Sequence, residues 1–559
     1  MNASAVIAYL RGQHPWRRVW FSLAMGIIGA AASVVLVLAC NWANGLWQGQ
    51  PLWLFALPAL GAASVWLFQR LGLKAHVTPG DVIRDIRDDQ RVDPHLAPAA
   101  LLGTCASLAG GASVGKTATA MEVGAALGSG LVGRFRVTEP APGSNEERPC
   151  YGYGAAVGLT ALVAALFTAP LAAVAFVLEL LRLNSTRPQH VPTLLLTAFV
   201  AAGLARVAGV SIVVPMTPIL TLTWETAAHA ALIGAACAIG GALYSWAVSS
   251  ARSLVRTKLH RPYLGVCVGG ILVCAAVLGL DWTLYAGTGE ELLSSAFAGT
   301  APAEAWVFKG VLTVVSLGFG LVGGEITPLL IVGALLGSSL ATLTNAYVPL
   351  MAGLGMLAFL AAGARCPWSA IFLGCELFGW DGFWFYDIAV VIAFAGSRDV
   401  GLYGQNVAGH TRLLRERVYT MLYRAGLGRP ITLLCQLLGR PAPAVFKTLG
   451  TGRGQSPLIR GSGALAEVVP AERIGQALEQ NPKLAQSLSQ AIEKNPQAQA
   501  DFATLVKEDP ALRGALEKSL DLHPDIAAHL YATLGENPEL KGLAEKTEAA
   551  SLRDHVRPE

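Results

Sequence analysis

Long apolar runs constrain this chain more than any other feature. A membrane-spanning helix needs about 20 consecutive, mostly apolar residues. Trp20–Cys40 is such a run, and further apolar segments follow from Leu52 to Phe394. Of the 559 residues, 53% are hydrophobic and 14% charged, with a mean hydropathy of +0.50. Soluble domains carry roughly a quarter charged residues, so the chain reads as a polytopic membrane protein. Fibrous, disordered and secreted disulfide-rich classes are excluded. The nine Cys are scattered singly, several inside apolar runs (Cys237, Cys267, Cys274, Cys375), and give neither metal-ligand spacing nor a disulfide framework. A formal charge of +4 without a long basic tract gives no case for nucleic acid. No metal or cofactor is expected.

The first apolar run exceeds a signal-peptide core and lacks a convincing cleavage site, so it reads as a retained span. Arg11, Arg17 and Arg18 precede it, which puts the N-terminus in the cytoplasm and the protein in the inner (plasma) membrane. Many later segments are short or broken by Gly and Pro. Irregular backbone at membrane depth survives only where protein or a polar cavity surrounds it, so broken segments point to a transport site. The polar stretch Thr138–Pro149 reads as a loop.

After Tyr403 the composition changes. Arg412, Arg415, Arg417 and Arg424 precede a Gly/Pro/Ser-rich linker from Gly439 to Gly463. Beyond it Asn481-Pro482, Asn495-Pro496, Asp509-Pro510, His523-Pro524 and Asn537-Pro538 recur at a constant interval of 14 residues, an internal repeat. A capping residue followed by Pro opens each unit. Apolar residues spaced by four, such as Leu512, Leu516 and Leu520, then give each short helix one stripe that stacking must bury. A small helical cap packed on itself and a partner-binding array both fit the pattern.

Gly110-Gly-Ala-Ser-Val-Gly115-Lys116-Thr117 matches the phosphate-loop pattern G-x-x-x-x-G-K-S/T letter for letter. A true phosphate loop joins a buried strand to a helix in a soluble domain, whereas this one lies between apolar segments. A membrane-bound nucleotide hydrolase is therefore the distant alternative. The physics transfers nonetheless: a Gly-rich turn opening a helix aims free backbone N–H groups at an anion.

These residues resemble the CLC family of chloride channels and anion/proton antiporters over about residues 20–405. Gly115-Lys116-Thr117-Ala118-Thr119 looks like the family's G-K/R-E-G-P turn, and Phe167-Thr-Ala-Pro170-Leu171 like its F-N-A-P-L segment. Gly323-Gly324-Glu325-Ile326-Thr327-Pro328 looks like G-G-x-F-x-P. Arg365-Cys-Pro367-Trp-Ser-Ala-Ile371 with Glu376 resembles R-S-P-L-T-A-I…E, and Tyr403 falls at the anion-contacting tyrosine. The resemblance implies an all-α bundle of tilted and broken helices with an inverted repeat, a homodimer with one pore per subunit, and a cytoplasmic C-terminus. It implies an anion site at Thr78, Gly115, Lys116, Thr117, Ala118, Thr119, Gly324, Glu325, Ile326, Thr327 and Tyr403. Thr78 enters because alignment back from Asp88-Asp89-Gln90-Arg91 sets it at the filter serine; a plain helix cap is its other reading. Independently, two Gly-rich turns that open apolar helices can converge on one dehydrated anion, although close helix packing is the commoner use of small residues.

The departures carry information. Thr117 stands where the family has its gating carboxylate, and Leu180, beside Glu179, where it has an inner proton-transfer glutamate. Neither titrates, which favours passive conduction of chloride or fluoride, with a proton-coupled antiporter as the alternative. Glu325 and Thr119-Ala120 look like the fluoride-transporting branch. A carboxylate beside an anion path must be neutralised or turned away. Lys309 could attract anions, pair with Glu304 or snorkel to the interface. The expected organisation is a cytoplasmic N-terminus at 1–19, a transport domain at 20–420, a linker at 421–463 and a cytoplasmic helical repeat at 464–559. The chain is read as a non-enzyme whose partners are halide ions and lipid, the partner of the repeats being unknown.

Overall fold

In a computed structural model, the described residues are 15–403 apart from 76, 141–146, 182–189, 211–221, 260 and 398–400. The chain divides into two units, Met1–Val418 and Tyr419–Glu559. All that follows concerns the first. The expected linker, the 14-residue repeats and both termini lie outside the described residues.

The helices are α1 (Pro15–Gly49), α2 (Trp53–Arg70), α3 (Pro79–Arg87), α4 (Leu96–Ala109), α5 (Thr117–Leu131), α6 (Tyr151–Phe167), α7 (Pro170–Leu181) and α8 (Val191–Val207). They continue with α9 (Trp224–Leu259), α10 (Pro262–Gly279), α11 (Glu290–Ala298), α12 (Ala305–Gly318), α13 (Ile326–Thr344), α14 (Val348–Ala364), α15 (Pro367–Phe378) and α16 (Phe383–Gly396). A two-stranded antiparallel ribbon, Thr138–Pro140 with Glu147–Pro149, interrupts the polar loop. Among the described residues four helices, α1, α9, α10 and α13, are long and apolar enough to cross a membrane alone. Most of the others are shorter, as broken segments require.

Two three-helix units repeat. In each, a Gly-rich turn opens a helix (α5; α13) that packs on a second (α6; α14), and a left-handed residue then turns the chain into a third that starts with Pro (α7; α15). The left-handed residues are Thr168 and Arg365, at φ 50° and 62°. Each is followed by one residue and then Pro170 or Pro367, whose fixed φ suits a first helical position. Close approach inside each pair depends on glycine. A Cβ at Gly128 would lie 2.0 Å from the Gly154 carbonyl oxygen, and one at Gly337 2.1 Å from that of Met351. α6 and α14 are buried almost throughout, so they form the interior, while α1 and α9 turn Trp20, Leu38, Leu243 and Trp246 outward. An apolar exterior of that kind suits lipid.

Reciprocal carboxylates join the units. Glu179, near the end of α7, accepts from the amides of Trp368 and Ser369 at the start of α15, at 2.8 and 2.9 Å. Glu376, near the end of α15, accepts from Leu171 and Ala172 at the start of α7, both at 2.9 Å. Each carboxylate thus satisfies orphan donors at a positive helix end. The two helix starts are closed to any mobile anion.

Candidate anion site

The starts of α5 and α13 are built differently. Gly115 and Gly324 exchange both backbone hydrogen bonds at 2.8 Å, an isolated antiparallel bridge that fastens the two Gly-rich turns face to face. Only glycine fits there. A Cβ on Gly115 would lie 2.5 Å from Thr327 Cβ, and one on Gly324 2.8 Å from the Ala118 nitrogen and 3.0 Å from that of Thr117. The first amide returned to the α5 ladder is Ala120, to the Lys116 carbonyl. The N–H groups of Thr117, Ala118 and Thr119 precede it and lie outside the ladder. In α13 the first such bond is Leu329 to Glu325, so Ile326 and Thr327 supply N–H groups there and Pro328 supplies none.

Thr117 and Thr327 meet across the turns, their hydroxyls 2.9 Å apart. A cavity of about 330 Å³ reaches both, lined also by Asn41, Lys116 and Glu290. Lys116 is buried, and its ammonium donates to Asn41 Oδ1 and to Glu290 Oε1, each at 2.5 Å. The Thr119 hydroxyl faces away, 2.6 Å from that of Thr104 on α4, so Thr119 can offer the site only backbone.

Glu325 is fully buried and forms an ion pair with Arg252 of α9. The neutralising cation that the sequence required is therefore a residue sequence reading had not singled out. Glu325 precedes α13 without a side-chain hydrogen bond to its first turn. A second carboxylate, Glu122 on α5, is also buried and lies within electrostatic reach of Glu325 and Arg252. It sits one turn past the Gly115 motif, and an acid inside an apolar helix was the signal for it.

Tyr403 approaches the same group. Its hydroxyl is buried and faces the Glu325 carboxylate. Its backbone oxygen would be 3.6 Å from a Cβ on Gly80, which places it beside the turn that starts α3. There the Thr78 hydroxyl donates to Asp81 Oδ2 at 2.7 Å and accepts from the Asp81 amide at 3.3 Å. This is a capping box, and it occupies the hydroxyl that the family comparison assigned to the anion. Lys309 neither pairs with Glu304 nor snorkels to the interface. It is fully buried, with its ammonium on the carbonyls of Tyr285 (3.0 Å) and Gly287 (2.9 Å). The phosphate-loop look-alike follows helix α4 rather than a strand. Its Ser113 amide bonds Ser316 Oγ at 3.1 Å, its Gly115 amide bonds Gly324, and its lysine is held as described. These donors are engaged within the protein.

Opened helix starts facing each other inside an apolar bundle of broken helices define a membrane anion-transport protein. The chain belongs to the voltage gated chloride channel (CLC) family, whose profile matches residues 60–398. It is 29% identical over 411 residues to a chloride/fluoride channel protein of Pseudomonas syringae pv. tomato, covering 71% of this chain and 88% of that one. It is 26% identical over 401 residues to the H(+)/Cl(-) exchange transporter ClcA of Vibrio cholerae serotype O1, covering 65% and 82%. Among solved structures it resembles a CLC-type fluoride/proton antiporter (TM-score 0.63, 24% identity, 69% of this chain and 96% of that one). It also resembles a slow cyanobacterial Cl-/H+ antiporter (TM-score 0.58, 19% identity, 72% and 97%). These structural likenesses describe the fold.

Proposed function

We propose that this protein conducts chloride or fluoride passively across the plasma membrane, as a homodimer with one route per subunit and both termini in the cytoplasm. Membership of the family gives halide transport. The observation that carries the passive reading is the hydroxyl pair of Thr117 and Thr327, set between two opened helix starts where a competing carboxylate would otherwise stand. Hydroxyls and backbone N–H groups replace part of an anion's hydration and bind no proton of their own at ordinary pH. Leu180 likewise offers nothing that titrates. The halide meets the Thr117–Thr327 pair from the cavity beside Lys116, and Tyr403 can donate a further hydrogen bond. A proton-coupled exchange is the second reading, favoured by the buried pair Glu122 and Glu325. Purified protein in liposomes, with fluoride or chloride release and external pH recorded together, tests the two. Passive conduction gives halide release without matching proton uptake; a fixed proton-to-halide ratio supports the exchanger.

A further inference from the structure

We propose that Glu290, on a helix remote in sequence from the Gly115 turn, is the titratable latch of this route and acts by cancelling the charge of Lys116. The inference rests on the halide-transport reading above.

The Lys116 side chain is only 6% exposed, whereas that of Glu290 is 57% exposed. A buried, charged lysine therefore carries its counterion on the water side, where pH can reach it. The contact lies in the wall of the cavity that ends on Thr117 and Thr327. While Glu290 is ionised, the ammonium beside the halide's path is neutralised at 2.5 Å. Protonated Glu290 no longer opposes it, and Lys116 adds an unopposed positive charge next to Thr117. A carboxylate absent from position 117 is thus supplied from α11, one residue away from the old position and on the lysine instead of the halide.

The neighbours of Glu290 permit the assignment. Among the described residues, the groups besides Lys116 with charge or a titratable proton near it are Glu291, which is exposed on the same helix, and Cys40 of α1, which interacts with both members of the pair and with Cys105 of α4. Lys309 stands behind Gly289, its ammonium turned to two carbonyls. α13 and α14, which pack against α11, contain no charged residue. Glu290 is therefore the carboxylate in direct contact with the lysine, and Asn41, the other partner of Lys116, does not titrate.

The test is chloride release from proteoliposomes with pH set equal on both sides, so that no gradient drives the ion, stepped from about pH 7 down to about pH 3, below the ordinary carboxylate range. Wild-type flux is expected to rise about three- to tenfold on acidification, the effect of one uncancelled charge at a partly screened site. Glu290→Gln should show the acid level at both pH values, Glu290→Asp should keep the acid response, and Lys116→Met should lie below the wild type at both pH values. Size-exclusion profiles confirm that each variant is folded. Wild-type flux that ignores pH, or a Glu290→Gln variant that still titrates like the wild type, overturns the latch and leaves the transport reading standing. Wild-type protein with no flux at either pH overturns the transport reading and the latch together.

Discussion

At the scale of single residues, the site depends on side chains that satisfy each other where an ion could otherwise be satisfied. Thr117 and Thr327 share a hydrogen bond of 2.9 Å, and either hydroxyl can turn to a passing halide. Thr117→Val or Thr327→Val is expected to lower halide flux about tenfold, the worth of one hydrogen bond to a charged species, without changing the size-exclusion profile. Glu325 makes a different demand. Arg252→Met leaves its buried carboxylate unpaired and should cost about 3–5 kcal/mol of stability, read as a fall in melting temperature in detergent. Adding Glu325→Gln should restore most of that loss. The need for a partner was legible in the sequence because a lone acid stood in an apolar segment. The partner itself was not, because pairing between α9 and the start of α13 is set by packing and leaves no local pattern. Lys116 is the same case: its motif announced it, but its contacts with Asn41 and Glu290 come from distant parts of the chain.

At the scale of elements, apolar runs located nearly every helix but not where the chain breaks. The run Tyr151–Leu181 looks continuous in sequence, yet it is two helices, because Thr168 takes a left-handed conformation and Pro170 restarts the chain. Pro170 and Pro367 made those helix starts legible; their distant caps, Glu376 and Glu179, were visible only as acids of unassigned purpose. Glu376→Ala strips two charge-assisted bonds from the start of α7 and should destabilise the protein by about 2 kcal/mol, measured by thermal melting. Gly128→Leu should do more damage, since its Cβ would lie 2.0 Å from backbone that has no freedom to withdraw. Loss of a monodisperse elution peak is the expected result. Glycine spacing alone could not separate this packing role from the anion-site role of Gly115 and Gly324. Only the bridge between the two turns does.

At the scale of the whole molecule, the family's motifs lie within the first of the two units, ahead of the 14-residue repeats. Deleting residues after Gly463 is therefore expected to leave halide flux within about twofold of the full chain, because a Gly/Pro-rich linker separates the parts. An intact dimer without flux would show that the repeats control conduction. We propose that a halide crosses this protein without a stoichiometric proton, since the family resemblance sets Thr117 and Leu180, neither of which titrates, at an exchanger's two carboxylate positions. The most direct measurement imposes a pH gradient on proteoliposomes with equal halide on both sides and follows halide with an ion-selective electrode. Passive conduction predicts no net halide movement beyond that of liposomes clamped to the same membrane potential. Halide driven uphill by the proton gradient alone would contradict the claim and assign the coupling to the buried carboxylates, Glu122 and Glu325.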